Sequence, residues 1–203
     1  MPSPSKKIAI FDFDGTLIRG DSLPFYLIEV AGYWRVAVAF VRAVAGSLSR
    51  EEVKNNPDRR TAIKRIWLRI LLAGVPCSAA HAAAERLAER ITWHRDLVEH
   101  LLWHKSQGHD ILVATGALDC YIHVLLRDLP VDVVLATETG IDNVEGEERL
   151  TGELMGANSV RAAKAERVAE WLRARGSYAE SWGYGNAPHD LPMLALCTHR
   201  KVV

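Results

Sequence analysis

Two carboxylates stand two residues apart, directly after an apolar run near the beginning of this sequence. The run occupies residues 8–11, and Asp12 and Asp14 follow it. Alternate residues of an extended chain point to the same side, so the two side chains are expected to face one site. A carboxylate can attack phosphorus and hold the phosphoryl group covalently, and a second carboxylate can pass a proton to the leaving oxygen. Asp12 is therefore the candidate nucleophile and Asp14 the candidate general acid and base.

Two carboxylates that face a phosphate group repel it unless a cation lies between them. Mg²⁺ is the expected cation, because it prefers oxygen ligands and bridges carboxylates to phosphate. The stretch GYGNAPHD at residues 183–190 supplies Asn186 and Asp190, which we expect to complete or orient the metal site with Asp12 and Asp14. Alternatively, Asn186 is a turn residue and Asp190 an acid at the start of a helix.

Three more residues complete the predicted phosphate site. Thr115 and Gly116 follow a second apolar run at residues 111–114, and Lys164 lies near the start of a predicted helix. Thr115 and nearby backbone N–H groups are expected to bind phosphate oxygens, and Lys164 is expected to neutralise charge beside the nucleophile. Arg161 is the alternative candidate for that last role.

Short buried strands alternate with helices along most of the chain. Strands are predicted at Lys7 to Phe13, Asp110 to Thr115, Val131 to Ala136 and Glu180 to Tyr184, and a hairpin at residues 138–154. This alternation predicts an α/β fold, with a Rossmann-like parallel sheet and helices on both of its faces. Ligands of such sheets bind beyond the carboxyl ends of the strands, where the candidate residues are expected to meet.

Residues 18–94 carry only helical signals and are too numerous for a simple crossover between two strands. We therefore predict an all-helical cap inserted after the first strand, on a core formed by residues 1–17 and 95–203. Within the cap, Asn56 and Pro57 are expected to begin a helix as its N-cap and its first helical residue.

The composition is that of an ordinary soluble globular protein, with 49% hydrophobic and 25% charged residues over 203 positions. The formal net charge is zero, which argues against nucleic acid as a partner, although residues 18–95 hold thirteen basic and seven acidic residues. The sequence contains no run of about 18 apolar residues, so no transmembrane helix is predicted. Cys77, Cys120 and Cys197 are too widely spaced to indicate a disulfide framework or a zinc site. We therefore expect a cytoplasmic protein that is a monomer or a dimer.

These features together resemble the haloacid dehalogenase superfamily, in particular its phosphoserine-phosphatase-like branch. FDFDGTL at residues 11–17 is similar to the first motif of the family, Thr115 to the second, Lys164 to the third, and GNAPHDLPML at residues 185–194 to the fourth. The resemblance implies a Mg²⁺-dependent phosphatase that forms an aspartyl-phosphate, with the backbone carbonyl of Asp14 among the metal ligands. Asn186 departs from the aspartate that often begins the fourth motif, which implies weaker metal binding.

A small phosphomonoester is the expected substrate, and the cap is expected to select it. Asp21 is either the N-cap of the first cap helix or, as the resemblance implies, the partner of a substrate amine. A basic face around Arg60, Lys64 and Arg65 is the candidate partner of a second substrate anion, and His189 is a further candidate contact.

Two alternatives remain open on the sequence alone. Tyr33, Trp34 and Arg35, followed by the aliphatic-rich residues 36–44, can form an interfacial helix, which would make the substrate a phosphorylated lipid at a membrane surface. The other alternative is a phosphate-binding module without turnover, which only Asn186 favours.

Overall fold

The centre of the protein is a parallel sheet with the first strand in its middle. The computed structural model describes residues 6–47, 58–156, 158–176 and 178–203. The strands are β1 (Lys7–Phe11), β2 (Asp110–Leu118), β3 (Val133–Thr137), β6 (Glu180–Gly185) and β7 (His199–Val202), in the order β3-β2-β1-β6-β7. Every neighbouring pair in this sheet is parallel. The predicted α/β fold is confirmed.

Helices cover both faces of the sheet, which explains the unbroken apolar sequence of β1. Ala9 and Phe11 belong to a core that also holds residues of α5 (Arg95–Ser106) and α6 (Asp119–Leu125). Ile8 and Ile10 point the other way, into a second core with residues of α7 (Arg161–Arg175) and α8 (Leu191–Leu194). Because successive side chains alternate between the two faces, all of them must be apolar.

Strand β1 ends at Phe11, two residues earlier than predicted. The carbonyl of Phe13 accepts hydrogen bonds from the backbone N–H groups of Thr16 at 3.2 Å and Ile18 at 3.1 Å, which turns the chain away from the sheet. Gly15 adopts a φ of +73° within this turn, a conformation that glycine reaches at little cost. Asp12 and the residues that follow it in the sequence therefore lie in the loop that leaves the sheet, rather than in the strand itself.

The segment predicted as a cap is helical where the structure describes it. Its helices are α1 (Ser22–Ala31), α2 (Tyr33–Gly46), α3 (Arg59–Leu72) and α4 (Cys77–Ala88). The predicted helix start at Asn56 and Pro57 lies outside the described residues, and Asp58 is the N-cap of α3, accepting from the Arg60 N–H at 3.3 Å. Within the described ranges, no helix is both long and apolar enough to cross a bilayer. The boundaries of the cap as a domain stay a prediction.

The predicted hairpin is present, and it packs against the cap. Strands β4 (Thr139–Val144) and β5 (Glu147–Leu154) pair in antiparallel fashion. The N–H of Gly74 donates to the Leu150 carbonyl, and the N–H of Leu150 donates to the Val75 carbonyl, both at 2.8 Å. A Cβ on Gly152 would lie 2.8 Å from the Arg69 Cα, so only glycine permits this approach. The hairpin thereby connects the core to α3.

Candidate active site

A cavity of about 350 Å³ lies where the loops after β1 and β6 meet α1, α3 and the start of α7. Most of the side chains that the sequence singled out line it. These are Asp12, Asp14, Asp21, Arg60, Lys64, Gly116, Arg161, Lys164, Asn186, His189 and Asp190. Thr115 and Arg65 are not among the lining residues. The topology thus brings together residues that are far apart in the sequence.

Lys164 binds two carboxylates at once. Its Nζ donates to Oδ1 of Asp12 and to Oδ1 of Asp190, each at 2.6 Å, and all three side chains are buried. Burial by itself lowers the pKa of an ammonium, but the attraction of these two carboxylates outweighs burial and raises the pKa of Lys164 above its usual value. Lys164 is therefore a permanent positive charge beside Asp12.

The orientation of the Asp12 carboxylate is fixed on both sides. Lys164 holds Oδ1, and the Thr16 hydroxyl donates to Oδ2 at 3.0 Å. Burial raises the pKa of Asp12 to about 6, while the Lys164 ammonium opposes the rise. Thr16 is a site residue without a sequence pattern of its own, apart from its place four residues after Asp12.

Asp14 is placed to exchange a proton near neutral pH. Burial raises its pKa to about 7, and the negative charge of Asp21 adds to that rise. The backbone N–H of Ser22 donates to Oδ1 of Asp14 at 2.7 Å and limits the shift. A carboxyl group with a pKa close to the working pH is suited to act as both acid and base.

Asn186 and Asp190 are hydrogen-bonded to each other, and each of them is also hydrogen-bonded to a further residue of the site. Oδ2 of Asp190 accepts from the Asn186 backbone N–H at 2.9 Å, while its Oδ1 accepts from Lys164. The side-chain Nδ2 of Asn186 donates to the backbone carbonyl of Asp14 at 3.0 Å. Asp190 thereby connects Lys164 to the loop that carries Asn186, and its predicted contact with a metal stays a prediction.

The donor atoms of this site suit Mg²⁺ by their chemistry. Across the described residues, no three His, Cys, Asp or Glu side chains are grouped in a way that can hold a metal. The cavity nevertheless offers oxygen donors, among them the Asp12 carboxylate, the Asp14 carbonyl and the Asn186 amide. Mg²⁺ is held in proteins by few carboxylates, with substrate phosphate and water completing its shell.

Thr115 and Gly116 contribute in different ways. Thr115 is fully buried in β2, and its Oγ1 accepts from the Ala117 N–H at 3.0 Å. Its predicted contact with phosphate stays a prediction. Gly116 lines the cavity, and a Cβ there would lie 2.7 Å from the Cγ1 of Val160, so close packing requires a glycine.

Of the three cap residues predicted to bind a substrate anion, Arg60 and Lys64 line the cavity and Arg65 does not. Nζ of Lys64 donates to the Gly116 carbonyl and to Oδ1 of Asn158, each at 2.8 Å, and burial lowers its pKa to about 8. Neighbouring residues on a helix point about 100° apart. Nη2 of Arg65 accordingly donates to the Gly156 carbonyl at 2.8 Å, away from the cavity lining, which does not support a substrate role for Arg65.

The structure shows one of the two roles that the sequence left open for Asp21, whereas its contact with a substrate amine stays a prediction. Asp21 is the N-cap of α1, where its Oδ1 accepts from the Leu23 N–H at 3.0 Å, and it also lines the cavity. His189 lies at the same opening, where its Nδ1 accepts from Nε of Arg161 at 3.4 Å. Arg161, the alternative to Lys164 in the sequence analysis, is exposed and extends toward Asp58 of the cap, with 3.8 Å between Nη1 and Oδ1.

Sequence reasoning missed several polar residues that line this cavity. Asn158 precedes α7 and joins Lys64 of the cap to the core, and its Nδ2 donates to the Thr61 hydroxyl at 3.4 Å. Asp58 and Thr61 come from the first turn of α3. No pattern marked Asn158 or Thr61, because their proximity depends on how the cap is placed on the core.

The chain is similar to known proteins along most of its length. A family model described as haloacid dehalogenase-like hydrolase matches residues 9–195. The chain is 28% identical over 213 residues to a histidinol-phosphatase of Neisseria meningitidis serogroup C, covering 98% of this chain and 90% of the relative. It is 27% identical over 191 residues to the phosphoserine phosphatase SerB2 of Mycobacterium tuberculosis, covering 94% of this chain and 42% of that relative. A solved phospho-aspartyl intermediate analogue of phosphoserine phosphatase has a TM-score of 0.63 and 21% identity, covering 98% of this chain and 86% of that chain.

Proposed function

The chain belongs to the haloacid dehalogenase-like hydrolases and is a phosphatase of that family, and we propose that it hydrolyses a small phosphomonoester through an aspartyl-phosphate on Asp12. The observation that carries the proposal is the buried contact of 2.6 Å between the Lys164 ammonium and the Asp12 carboxylate, at a cavity that Asp14 also lines. This arrangement provides an oriented nucleophile and a second carboxyl group for proton transfer.

The proposed reaction has two halves that use the same two carboxyl groups. In the first, an oxygen of Asp12 bonds to phosphorus, the ester bond to the leaving oxygen breaks, and Asp14 gives its proton to that oxygen. In the second, Asp14 takes a proton from water as the water oxygen attacks phosphorus, and the Asp12 carboxylate is released. The pKa of about 7 for Asp14 supports both directions of proton transfer. Lys164 and Thr16 hold Asp12 in position.

We infer that Mg²⁺ is the cofactor, held by the Asp12 carboxylate, the Asp14 backbone carbonyl and the Asn186 amide oxygen. When bound, it supplies positive charge that offsets the repulsion between the carboxylates and the phosphate group. A bound cation also favours the ionised form of a carboxylate beside it. We assign Asp190 the role of keeping Lys164 and Asn186 in position, because its carboxylate accepts hydrogen bonds from both of them.

The substrate that we favour is an aminoalkyl phosphomonoester. Phosphoserine and histidinol phosphate, after which the relatives are named, both carry an amine on the carbon next to the phosphate-bearing carbon. Asp21 is an exposed carboxylate on the cavity lining and supplies a partner for such an amine. Asp14 lines the same cavity as Asp21, so an amine bound by Asp21 would share this cavity with the group proposed to transfer the proton.

The nucleophile is tested by Asp12→Asn with p-nitrophenyl phosphate and Mg²⁺. The amide keeps the size of the side chain but cannot form a productive acyl phosphate, so turnover should disappear while thermal unfolding stays cooperative. The matched control is Asp96→Asn, an exposed acid in the first turn of α5, which should remain fully active. Substantial turnover by Asp12→Asn would refute the proposed mechanism.

The amine site is tested by Asp21→Asn, because asparagine is as good an N-cap as aspartate and removes only the charge. The KM for phosphoserine and for histidinol phosphate should rise, whereas the KM for p-nitrophenyl phosphate should change little. Asp58→Asn is the matched control, since Asp58 also caps a helix at this cavity. Equal changes for all three substrates would assign Asp21 a purely structural role.

The alternative hypothesis, that the protein binds phosphate without turnover, is no longer favoured. It rested on Asn186 alone, and an amide oxygen at that position still belongs to an all-oxygen donor set. Both curated relatives reported above are named as phosphatases.

A further inference from the structure

Helix α2 exposes a row of apolar side chains to solvent. Trp34, Val38 and Val41 are 78%, 51% and 67% exposed, and Ala45 continues the row toward the end of the helix. Steps of four, three and four residues place these positions on one side of an α-helix. Tyr33, which is 63% exposed, packs edge-on against Trp34 with 5.5 Å between the ring centroids. The row is thus apolar along its length and aromatic at its start.

The other side of α2 already has its packing partner inside the protein. Val36, Ala39 and Ala43 are buried there. Trp67 of α3 donates from its indole Nε1 to the Val36 carbonyl at 3.1 Å, and Phe40 packs edge-on against Trp67 with 5.2 Å between centroids. At 100° per residue, the buried positions and the exposed row lie on nearly opposite sides of the helix. The exposed row is therefore additional to the face that α2 needs for folding.

The charged side chains of helix α2 are all of one sign. Arg35 and Arg42 are both exposed and lie seven residues apart, along the same edge of the apolar row. The sequence of α2, YWRVAVAFVRAVAG, contains no Asp or Glu. An apolar ridge bordered by arginines and begun by Tyr and Trp is the pattern of a helix that lies at a lipid surface.

We propose that the outward face of α2, formed by Trp34, Val38, Val41, Arg35 and Arg42, binds the surface of an anionic lipid bilayer. The helix lies in the plane of the interface, with the apolar row among the acyl chains and the arginines at the headgroups. This contact is independent of the proposed phosphatase reaction, because none of these residues lines the cavity.

Charge favours an anionic bilayer over a second copy of this chain as the occupant. An anionic surface neutralises Arg35 and Arg42, whereas the α2 helix of a second copy contains no acid that could do so. The exposed row is also the convex ridge of a single helix, about 21 Å long. A bilayer surface accommodates such a ridge without a preformed groove.

The test is co-sedimentation of the full chain with vesicles of phosphatidylcholine, alone or mixed with phosphatidylglycerol. We expect the protein to bind the mixed vesicles at low salt and to dissociate at high salt. Arg35→Gln and Arg42→Gln should each weaken partitioning about fivefold, the factor that corresponds to about 1 kcal/mol per basic side chain at an anionic surface. Trp34→Ala should weaken it about tenfold or more, because its indole no longer leaves water.

Matched controls come from α5, which exposes residues of the same kinds. Leu102→Ala removes a side chain that is 46% exposed, and Arg95→Gln removes an exposed charge, so both variants should partition like the unaltered protein. All of these variants should keep their turnover of p-nitrophenyl phosphate. Failure of the unaltered protein to bind the mixed vesicles at low salt would overturn the proposal, as would unchanged binding by Trp34→Ala. A dimer in sedimentation equilibrium that Trp34→Ala dissociates would assign the face to a second copy and also overturn it.

Discussion

Lys64 of helix α3 donates a hydrogen bond of 2.8 Å to the backbone carbonyl of Gly116 in strand β2. The same ammonium donates to Asn158 at 2.8 Å, so one side chain of the predicted cap is bound to two separate parts of the core. Gly116 and Asn158 both line the cavity. The contact therefore couples the position of α3 to the shape of the site in which the phosphate is expected to bind.

We predict that Lys64→Met weakens this coupling while keeping most of the packing of the side chain. Hydrogen bonds from a charged donor contribute about 1.5–3 kcal/mol each, so loss of even one should raise KM about tenfold or more. Amide hydrogen exchange should also accelerate in the first turns of α3. The control is Arg65→Met, because Arg65 is adjacent but does not line the cavity. Identical kinetics and exchange in the two variants would contradict the role of Lys64 in positioning α3 at the cavity.

A second prediction concerns Asn186, whose Nδ2 donates to the Asp14 carbonyl at 3.0 Å. Asn186→Asp replaces this donor with a carboxylate, which repels a carbonyl oxygen but is a stronger ligand for a hard cation. The metal-free variant should unfold at a lower temperature, and Mg²⁺ should stabilise it more than it stabilises the unaltered protein.

Calorimetric titration and thermal unfolding with and without Mg²⁺ measure both effects. Asn143→Asp, an exposed change in the hairpin, should leave them unaltered. An unchanged or lower affinity for Mg²⁺ in Asn186→Asp would show that Asn186 does not contact the metal.

A third prediction follows from His104, a fully buried residue of α5 that contacts β6. Its Nδ1 is 2.8 Å from Nδ1 of His109, and its Nε2 is 2.9 Å from the Tyr184 hydroxyl. Burial lowers the pKa of His104 to about 4, with a further contribution from His109. An unfolded histidine has a pKa of about 6.5 and therefore binds a proton at a higher pH than the folded protein does.

The stabilisation from a neutral His104 is thus complete above about pH 6.5 and is lost as the pH falls toward 4. The loss should amount to about 3 kcal/mol or less in the free energy of unfolding, measured in urea at several pH values. His104→Phe keeps an aromatic ring at this position but cannot titrate. Its free energy of unfolding should be lower at neutral pH and should depend less on pH below that. His123→Gln, exposed on α6, is the control and should retain the full slope. An unchanged slope in His104→Phe would assign the acid sensitivity elsewhere.

The parts of the site that the sequence predicts are those placed by the sheet itself. Asp12 and Gly116 follow buried apolar runs, and the carboxyl ends of parallel strands meet at one edge, so their proximity follows from chain order alone. Lys164 was identified because α7 begins at the same edge.

The parts that the sequence did not predict depend on contacts between distant segments. Asn158 meets Lys64, and the hairpin meets α3 through Leu150, only after the cap has been placed on the core. The predicted end of β1 lies two residues too late, because Phe13 is as apolar and as buried as the residues of the strand. The turn is visible only in the hydrogen bonds that the Phe13 carbonyl accepts. Hydrophobicity reports burial, whereas the end of a strand is decided by hydrogen bonds.

A fourth prediction separates the two carboxyl groups of the reaction. Asp14→Asn should lower turnover of alkyl phosphomonoesters by about 10²- to 10⁴-fold, because no group then protonates the leaving oxygen. p-Nitrophenolate leaves without a proton, so phosphoryl transfer from p-nitrophenyl phosphate should persist in a single-turnover experiment. Equal losses for both kinds of ester would contradict the assignment of Asp14 as the acid.

The measurement that tests the central claim most directly is mass spectrometry of the peptide that contains Asp12. The Asp14→Asn variant is mixed with p-nitrophenyl phosphate and Mg²⁺ and then quenched in acid, because this variant lacks the base that activates water for the second half of the reaction. Our account predicts that the peptide gains the mass of one phosphoryl group on Asp12, and that the gain is absent when Asp12→Asn is added to the same chain. A phosphoryl group on any other residue, or full turnover by Asp12→Asn, would contradict it.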